Sequence, residues 1–210
     1  MNGIELTAVE ARVLGCLVEK ELTTPDYYPL TMNSLVTACN QSSNRDPVVS
    51  YDETTVAGGI DSLREKSLIR WVKEARSRAA KYRHDLQVVP GLSVPERSLL
   101  AVLLLRGPQT AGELRTRTDR YHTFASLDEV EAILAGLAAR EEPITTKLER
   151  QPGQKEARWR QLWADATDLP FAAAPAASPP PPPRIDPSLT DQLADLAERV
   201  ARIERELGLE

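Results

Sequence analysis

With 210 residues, of which 41% are hydrophobic and 27% charged, the chain has the balance of a globular protein rather than a disordered one. Two cysteines exclude a disulfide framework and a multi-cysteine zinc site. No apolar run reaches the roughly 20 residues that span a bilayer, and the start MNGIELTAVEARV lacks the basic-then-apolar order of a secretory signal. A cytoplasmic location without membrane association is therefore expected. The net charge of -5 resides in the tail: residues 166–210 carry 4 basic and 8 acidic side chains, whereas residues 1–90 carry 11 and 12.

The first predicted element is LTAVEARVLGCLVEKEL, where Thr7 and Glu10 have the spacing of a capping box and Val9, Val13, Leu14, Leu17 and Val18 share one face. That pattern predicts an amphipathic helix. A proline-containing break leads to a short helix over Thr31–Cys39, and a third helix is expected from Asp52 to Lys66 around Val56, Ile60 and Leu63. Gly58 and Gly59 sit inside it and lower its intrinsic stability, because each costs about 0.5–1 kcal/mol relative to alanine. LIRWVKEARSRAAKYRHDLQVV then reads as two β-prone segments around a polar, basic turn.

The same order recurs. Ser93 and Glu96 open LSVPERSLLAVLLLRG, Thr110 and Glu113 open a helix to Thr118, and Ser126 and Glu129 open one to Arg140. PITTKLERQPGQKEARWRQLW supplies a second ribbon. Three helices followed by a hairpin, repeated, predict an α+β, mainly α fold of tandem winged-helix domains, over residues 1–90 and 91–165.

Residues 166–186 form an Ala/Pro-rich linker with a five-proline run, extended because proline fixes φ and removes donors. Residues 187–210 resume with Leu189, Leu193, Leu196, Val200, Ile203 and Leu207 in alternating four- and three-residue steps, the seam of a coiled coil. A C-terminal coiled-coil helix that makes a homo-oligomer is the expectation. Docking of the same helix on its own globular part, or fraying, are the alternatives.

RVLGCLVEKELTTPDYYPLTMNSLVTACNQSSNRDPV, from Arg12 to Val48, resembles the signature of the YceH-like family of uncharacterised bacterial proteins, with the TTP, YPL, ACNQ and NRDPV elements in order. The resemblance continues through LLLRGPQTAGELRTRT, EVEAILAGLAARE and ERQPGQKEARWRQL. It implies two winged-helix domains and a bacterial cytoplasmic setting, and it implies no reaction.

Residues with catalytic potential are sparse. His84 and His122 lie in different repeats without a metal-binding spacing and read as surface or loop histidines; Cys16 and Cys39 read as small buried hydrophobes. Neither a phosphate-cradling glycine loop nor a cofactor motif occurs, so no catalytic residue, metal or cofactor is expected and the chain is read as no enzyme. A basic stretch is the stronger signal: Arg64, Arg70, Lys73, Arg76, Arg78, Lys81 and Arg83 follow or end the third helix of the first repeat, where a winged helix meets phosphates. Double-stranded DNA is the expected partner, in a regulatory role. The alternative is a protein-protein scaffold, favoured by the acidic third helix of the second repeat with Asp128, Glu129, Glu131, Glu141 and Glu142.

TACNQSSNRDP, between the second and third helices, carries more amides than a helix terminus requires. Asn40, Gln41, Asn44 and Arg45 are candidates either for contact with base edges or for a hydrogen-bonded structural lock.

Overall fold

The computed structural model describes residues 4–73, 80–88, 90–150 and 153–164. The linker and coiled-coil expectations over 166–210, and Arg76 and Arg78 of the basic stretch, lie outside the described residues. What is described is mixed α and β, mainly helical, and falls within one compact unit.

In chain order, α1 (Ala8–Thr23) is followed by a 3-10 turn (Pro25–Tyr27), β1 (Leu30–Thr31), α2 (Met32–Cys39), α3 (Glu53–Glu65), β2 (Ile69–Val72) and β3 (Lys81–His84). The order then recurs as α4 (Val94–Arg106), α5 (Ala111–Thr118), α6 (Leu127–Ala138), β4 (Thr145–Lys147) and β5 (Trp159–Gln161).

Local chemistry sets the helix starts. Thr7 Oγ1 accepts from the Glu10 amide at 3.3 Å, and Glu10 Oε2 accepts from the Thr7 amide at 2.6 Å. The Thr110/Glu113 box closes in the same reciprocal way, satisfying two orphan amides of a first turn, while at Ser93 the amide and the hydroxyl both donate to Glu96 Oε2 at 2.7 Å. Ser126 forms only half a box. Its hydroxyl accepts from the Glu129 amide at 3.1 Å, but the Glu129 carboxylate turns to the Ala125 amide at 2.7 Å. Gly107, at φ 68°, ends α4 in a conformation that a side chain would strain.

The strands form two small antiparallel sheets. In the first, the order is β1-β3-β2, with Leu30 opposite Tyr82, Ile69 opposite His84 and Arg70 opposite Arg83. In the second, β4 pairs β5 with Thr145 opposite Gln161, and an isolated bridge from Gln109 to Trp159 takes the place that β1 has in the first repeat. The two-residue β1 escapes the sequence reading, since so short a segment has no periodicity to read.

Packing departs from the one-faced amphipathic helix expected for α1. Every residue from Glu10 to Glu19 is buried, because α2 and α3 cover one side and α4 covers the other. α4 is divided likewise: Leu100, Ala101, Leu104 and Leu105 join a core shared with α1, while Leu99, Val102 and Leu103 join a second core with Leu114, Phe124, Val130, Leu134 and Trp159. Burying each such leucine contributes about 1.5–3 kcal/mol relative to leaving it in water. The repeats are also joined at their ends, where the Leu6 amide donates to the Trp163 carbonyl.

Two glycines permit the close approaches. A Cβ at Gly15 would lie 2.9 Å from Leu105 Cγ and 3.2 Å from Leu104 Cβ, and one at Gly59 would lie 2.9 Å from Val9 Cγ1. Gly58 faces open space. Of the glycine pair in α3, then, only Gly59 has a packing reason, and that reason lies in another helix.

Candidate nucleic-acid interface

The junction between α2 and α3 faces inward. The Asn40 amide brackets the backbone of Tyr51, donating from Nδ2 to its carbonyl at 2.8 Å and accepting at Oδ1 from its amide at 2.7 Å. Gln41 Oε1 accepts from Lys20 Nζ at 3.3 Å and from Arg45 Nη2 at 2.9 Å. Asn44 adopts φ 57°, one of the few left-handed positions open to an L residue, and its Oδ1 accepts from Arg106 Nη1 at 3.4 Å.

Arg45 is the centre of the junction. Its side chain has no exposed surface; Nε and Nη2 donate to the Ala38 carbonyl at 3.1 and 2.9 Å, and Nη1 donates to the Asn44 carbonyl at 2.9 Å. The guanidinium also forks onto Glu19, with Nη1 to Oε1 at 3.2 Å and Nη2 to Oε2 at 2.5 Å. The two-pronged geometry is the strong form of this pair. Glu19 Oε1 further accepts from Tyr121 Oη at 2.9 Å and lies 3.5 Å from Arg120 Nη2, so one carboxylate ties α1, the junction and the second repeat together.

Burial alone would raise the Glu19 carboxyl, but the Arg45 hydrogen bond and charge, with Lys20 and Tyr121, hold it below the ordinary glutamate value. Tyr121 moves upward, through burial and then the adjacent Glu19 charge. Arg12 completes the arrangement, donating to the Cys39 carbonyl at 3.3 Å and the Pro47 carbonyl at 2.6 Å. The hydrogen bonds of Asn40, Gln41, Asn44 and Arg45 run within the protein, as a structural lock requires.

Sequence reasoning missed Glu19, Arg12 and Tyr121. The available signal was two charges about two helical turns apart, Arg12 and Glu19, inside the apolar run of α1.

Cys16 and Cys39 are free and buried, as expected of small hydrophobes. His84 corrects the expectation of a surface histidine. Its side chain has no exposed surface, Nδ1 accepts from the Leu86 amide at 3.2 Å, and Nε2 therefore carries the proton it shares with Glu21 at 2.8 Å. It is held there because it lies opposite Ile69 on the inner side of the hairpin. His122 is half-buried in the loop before α6, its ring edge-on to Phe124 at 4.7 Å.

The basic stretch has a different environment. Arg64 and Arg70 have side chains 43% and 56% exposed, and Lys73 is exposed. Lys81 and Arg83 are half-buried. Arg64 Nη1 pairs with Asp61 at 3.2 Å and Arg70 Nε with Asp85 at 3.3 Å. Arg70 stands directly across the ladder from Arg83, a like-charge pair that destabilises an isolated hairpin.

Beside these residues, the last turn of α3 and β2 enclose a groove of about 620 Å³ lined by Asp61, Arg64, Glu65, Ile69, Arg70 and Trp71. Trp71 is 53% exposed, with the Arg64 guanidinium 6.0 Å from the ring centre.

In the second repeat the basic side chains are paired more closely with carboxylates: Arg158 to Glu113 at 3.0 Å, Lys147 to Glu131 at 2.9 Å and Arg140 to Glu96 at 2.7 Å. Among the described residues, no cluster of three or more His, Cys, Asp or Glu is placed to hold a metal, and no helix is long and apolar enough to cross a membrane.

Comparison with known proteins gives the lineage. The model of a family described as "Protein of unknown function, DUF480" matches residues 6–154. A UPF0502 protein of Pelobacter propionicus is 48% identical over 206 residues, covering 95% of this chain and 94% of its own length. One from Opitutus terrae is 49% identical over 199 residues, covering 94% and 83%, and one from Shewanella amazonensis is 44% identical over 210 residues, covering 96% and 95%. With these relatives spanning nearly its whole length, and with the YceH-like signature between Arg12 and Val48, the chain belongs to the DUF480 (UPF0502) family of bacterial proteins.

Proposed function

We propose that this protein binds DNA through its first repeat, acting as a winged-helix domain with α3 toward the groove and the β2–β3 hairpin as the wing. The observation that carries the reading is the cross-strand pair of Arg70 and Arg83, flanked by exposed Arg64 and Lys73. Asp85, 3.3 Å from Arg70, offsets part of the repulsion between these like charges, and a phosphate between the two guanidinium groups would offset the rest. In the second repeat Arg140, Lys147 and Arg158 each lie within 3.0 Å of a carboxylate, closer than Arg64 and Arg70 lie to theirs in the first. A regulatory rather than a catalytic role is part of the same proposal.

Fluorescence anisotropy with duplex DNA over a series of salt concentrations tests it. Binding should fall steeply with salt, and Arg70→Ala, Lys73→Ala and Arg83→Ala should each weaken it and flatten the slope by about one unit per lost phosphate contact. Unchanged affinity in the triple variant, with its fold intact, would overturn the assignment. Selection from random sequences would then define the site.

A second reading, a scaffold for another protein, is favoured by the exposed carboxylates of Asp128, Glu141 and Glu142 at the ends of α6. It is the better reading if no salt-dependent DNA binding occurs at physiological ionic strength. Self-association through the heptad of residues 187–210 is proposed on the sequence pattern alone, and deletion from Asp186 onward should lower the sedimenting mass to that of a monomer.

A further inference from the structure

We infer that the groove between α3 and β2 accepts a single unpaired nucleobase, stacked on Trp71 and edged by Asp61 and Glu65. This rests on the nucleic-acid reading above and specifies what that surface takes.

Trp71 differs from the other two tryptophans: Trp159 and Trp163 are 4% and 5% exposed, whereas Trp71 is 53% exposed. On a two-residue period it shares a strand face with Ile69, which is 3% exposed in the core. That face runs out of the core and ends in an indole with solvent on it, and the Arg64 guanidinium 6.0 Å from its centre marks the ring as a platform for cations and π-systems.

The groove wall narrows the choice of occupant. Asp61, with a side chain 70% exposed, and Glu65 line it together with Arg64, which is paired with Asp61, and Arg70, which is paired with Asp85, so the lining has no excess positive charge to hold a phosphate inside. Asp61 and Glu65 would instead accept hydrogen bonds from a neutral donor, as carboxylates do from the exocyclic amino group of cytosine. Arg64 and Arg70 line the groove beside the carboxylates, and the exposed Lys73 follows two residues after Trp71, so phosphates on either side of the occupant would meet cations. A flat, uncharged group with amino donors, carried on an anionic strand, is a cytosine, adenine or guanine base, and not thymine, which has no exocyclic amino group. It must be unpaired, since in a duplex both faces are stacked and the pairing edge is occupied. The Arg64–Asp61 ion pair that it would open is solvent-exposed and weak.

The experiment uses the full chain with single-stranded oligo(dC), oligo(dA) and oligo(dT) and a mixed-sequence duplex, read by anisotropy of labelled DNA and by tryptophan fluorescence. Trp71→Ala should weaken binding of oligo(dC) and oligo(dA) by about tenfold or more, while Trp71→Phe, which keeps a stacking face, should retain most of it. Wild-type fluorescence should change on binding, and that change should vanish in Trp71→Phe although the variant still binds. Oligo(dT) should bind more weakly than the other two. If Trp71→Ala binds oligo(dC) as tightly as wild type while Arg70→Ala and Lys73→Ala weaken it, the base site is overturned and nucleic-acid binding stands. A preference for oligo(dT) would overturn the assignment of the carboxylate edge. Failure of wild type to bind either single strands or duplex removes both readings.

Discussion

The two repeats follow one order of elements, yet they place corresponding residues differently. Each hairpin carries a tryptophan. Trp159 lies in the second core, donating from Nε1 to Glu131 at 3.3 Å beneath the Lys147 ammonium, whereas Trp71 faces solvent. The turns between second and third helices meet at one carboxylate. That of the first repeat sends Arg45 into the interior to Glu19, while that of the second brings Tyr121 to the same Glu19 and leaves Arg120 beside it, 58% exposed. The same architecture thus has an open hairpin in one copy and a closed one in the other, while the turns of both copies reach a single buried carboxylate. Shared element order says little about which surface is available to a partner; the side chains decide it.

The largest test of this contrast is Glu19→Gln, which leaves the Arg45 charge buried without its partner. Chemical denaturation should show a loss of about 3–5 kcal/mol. Arg117→Ala, which removes a partly exposed pair at 3.8 Å in the second repeat, should cost under about 1 kcal/mol. Equal effects would abolish the distinction between a buried lock and a surface pair. Acid examines the same lock without mutation. The folded Glu19 value lies below the ordinary one, so its contribution is complete above about pH 4.3 and is lost as pH falls through the lower folded value. The thermal midpoints of wild type and Glu19→Gln should therefore converge in acid.

Gly15→Ala examines the contact between repeats. Its new methyl would meet Leu105 within a filled core, and a loss of about 1–3 kcal/mol is expected on thermal or chemical unfolding. The smallest expected change is a gain. Gly58→Ala should stabilise by about 0.5–1 kcal/mol, because its neighbourhood is empty and alanine favours the helix, while Gly59→Ala should destabilise through Val9. If both alanines stabilise, α3 is not held tightly on α1.

What was legible in the sequence was local. Thr7, Ser93 and Thr110 each find their partner three residues on, and a pattern of that range needs no knowledge of the fold. Glu19 and Tyr121 are separated by 102 positions, and nothing near either residue announces the other. The amides of TACNQSSNRDP drew notice because they exceed what a turn needs, but their direction depended on a carboxylate in another helix. The burial of His84 and the contact that makes Gly59 necessary have the same origin, since both depend on neighbours in space and not in sequence.

The shared burial of α1 has a consequence for synthesis on the ribosome. When residue 90 is made, the face of α1 around Gly15 still lacks the helix that covers it, and Leu6 lacks the Trp163 carbonyl. At roughly 5–20 residues per second, α4 follows about a second or more later and Trp163 several seconds after that. During that interval the nascent first repeat carries an adhesive apolar stripe, and in a crowded polysome the neighbouring chains offer that stripe a competitor to its own α4.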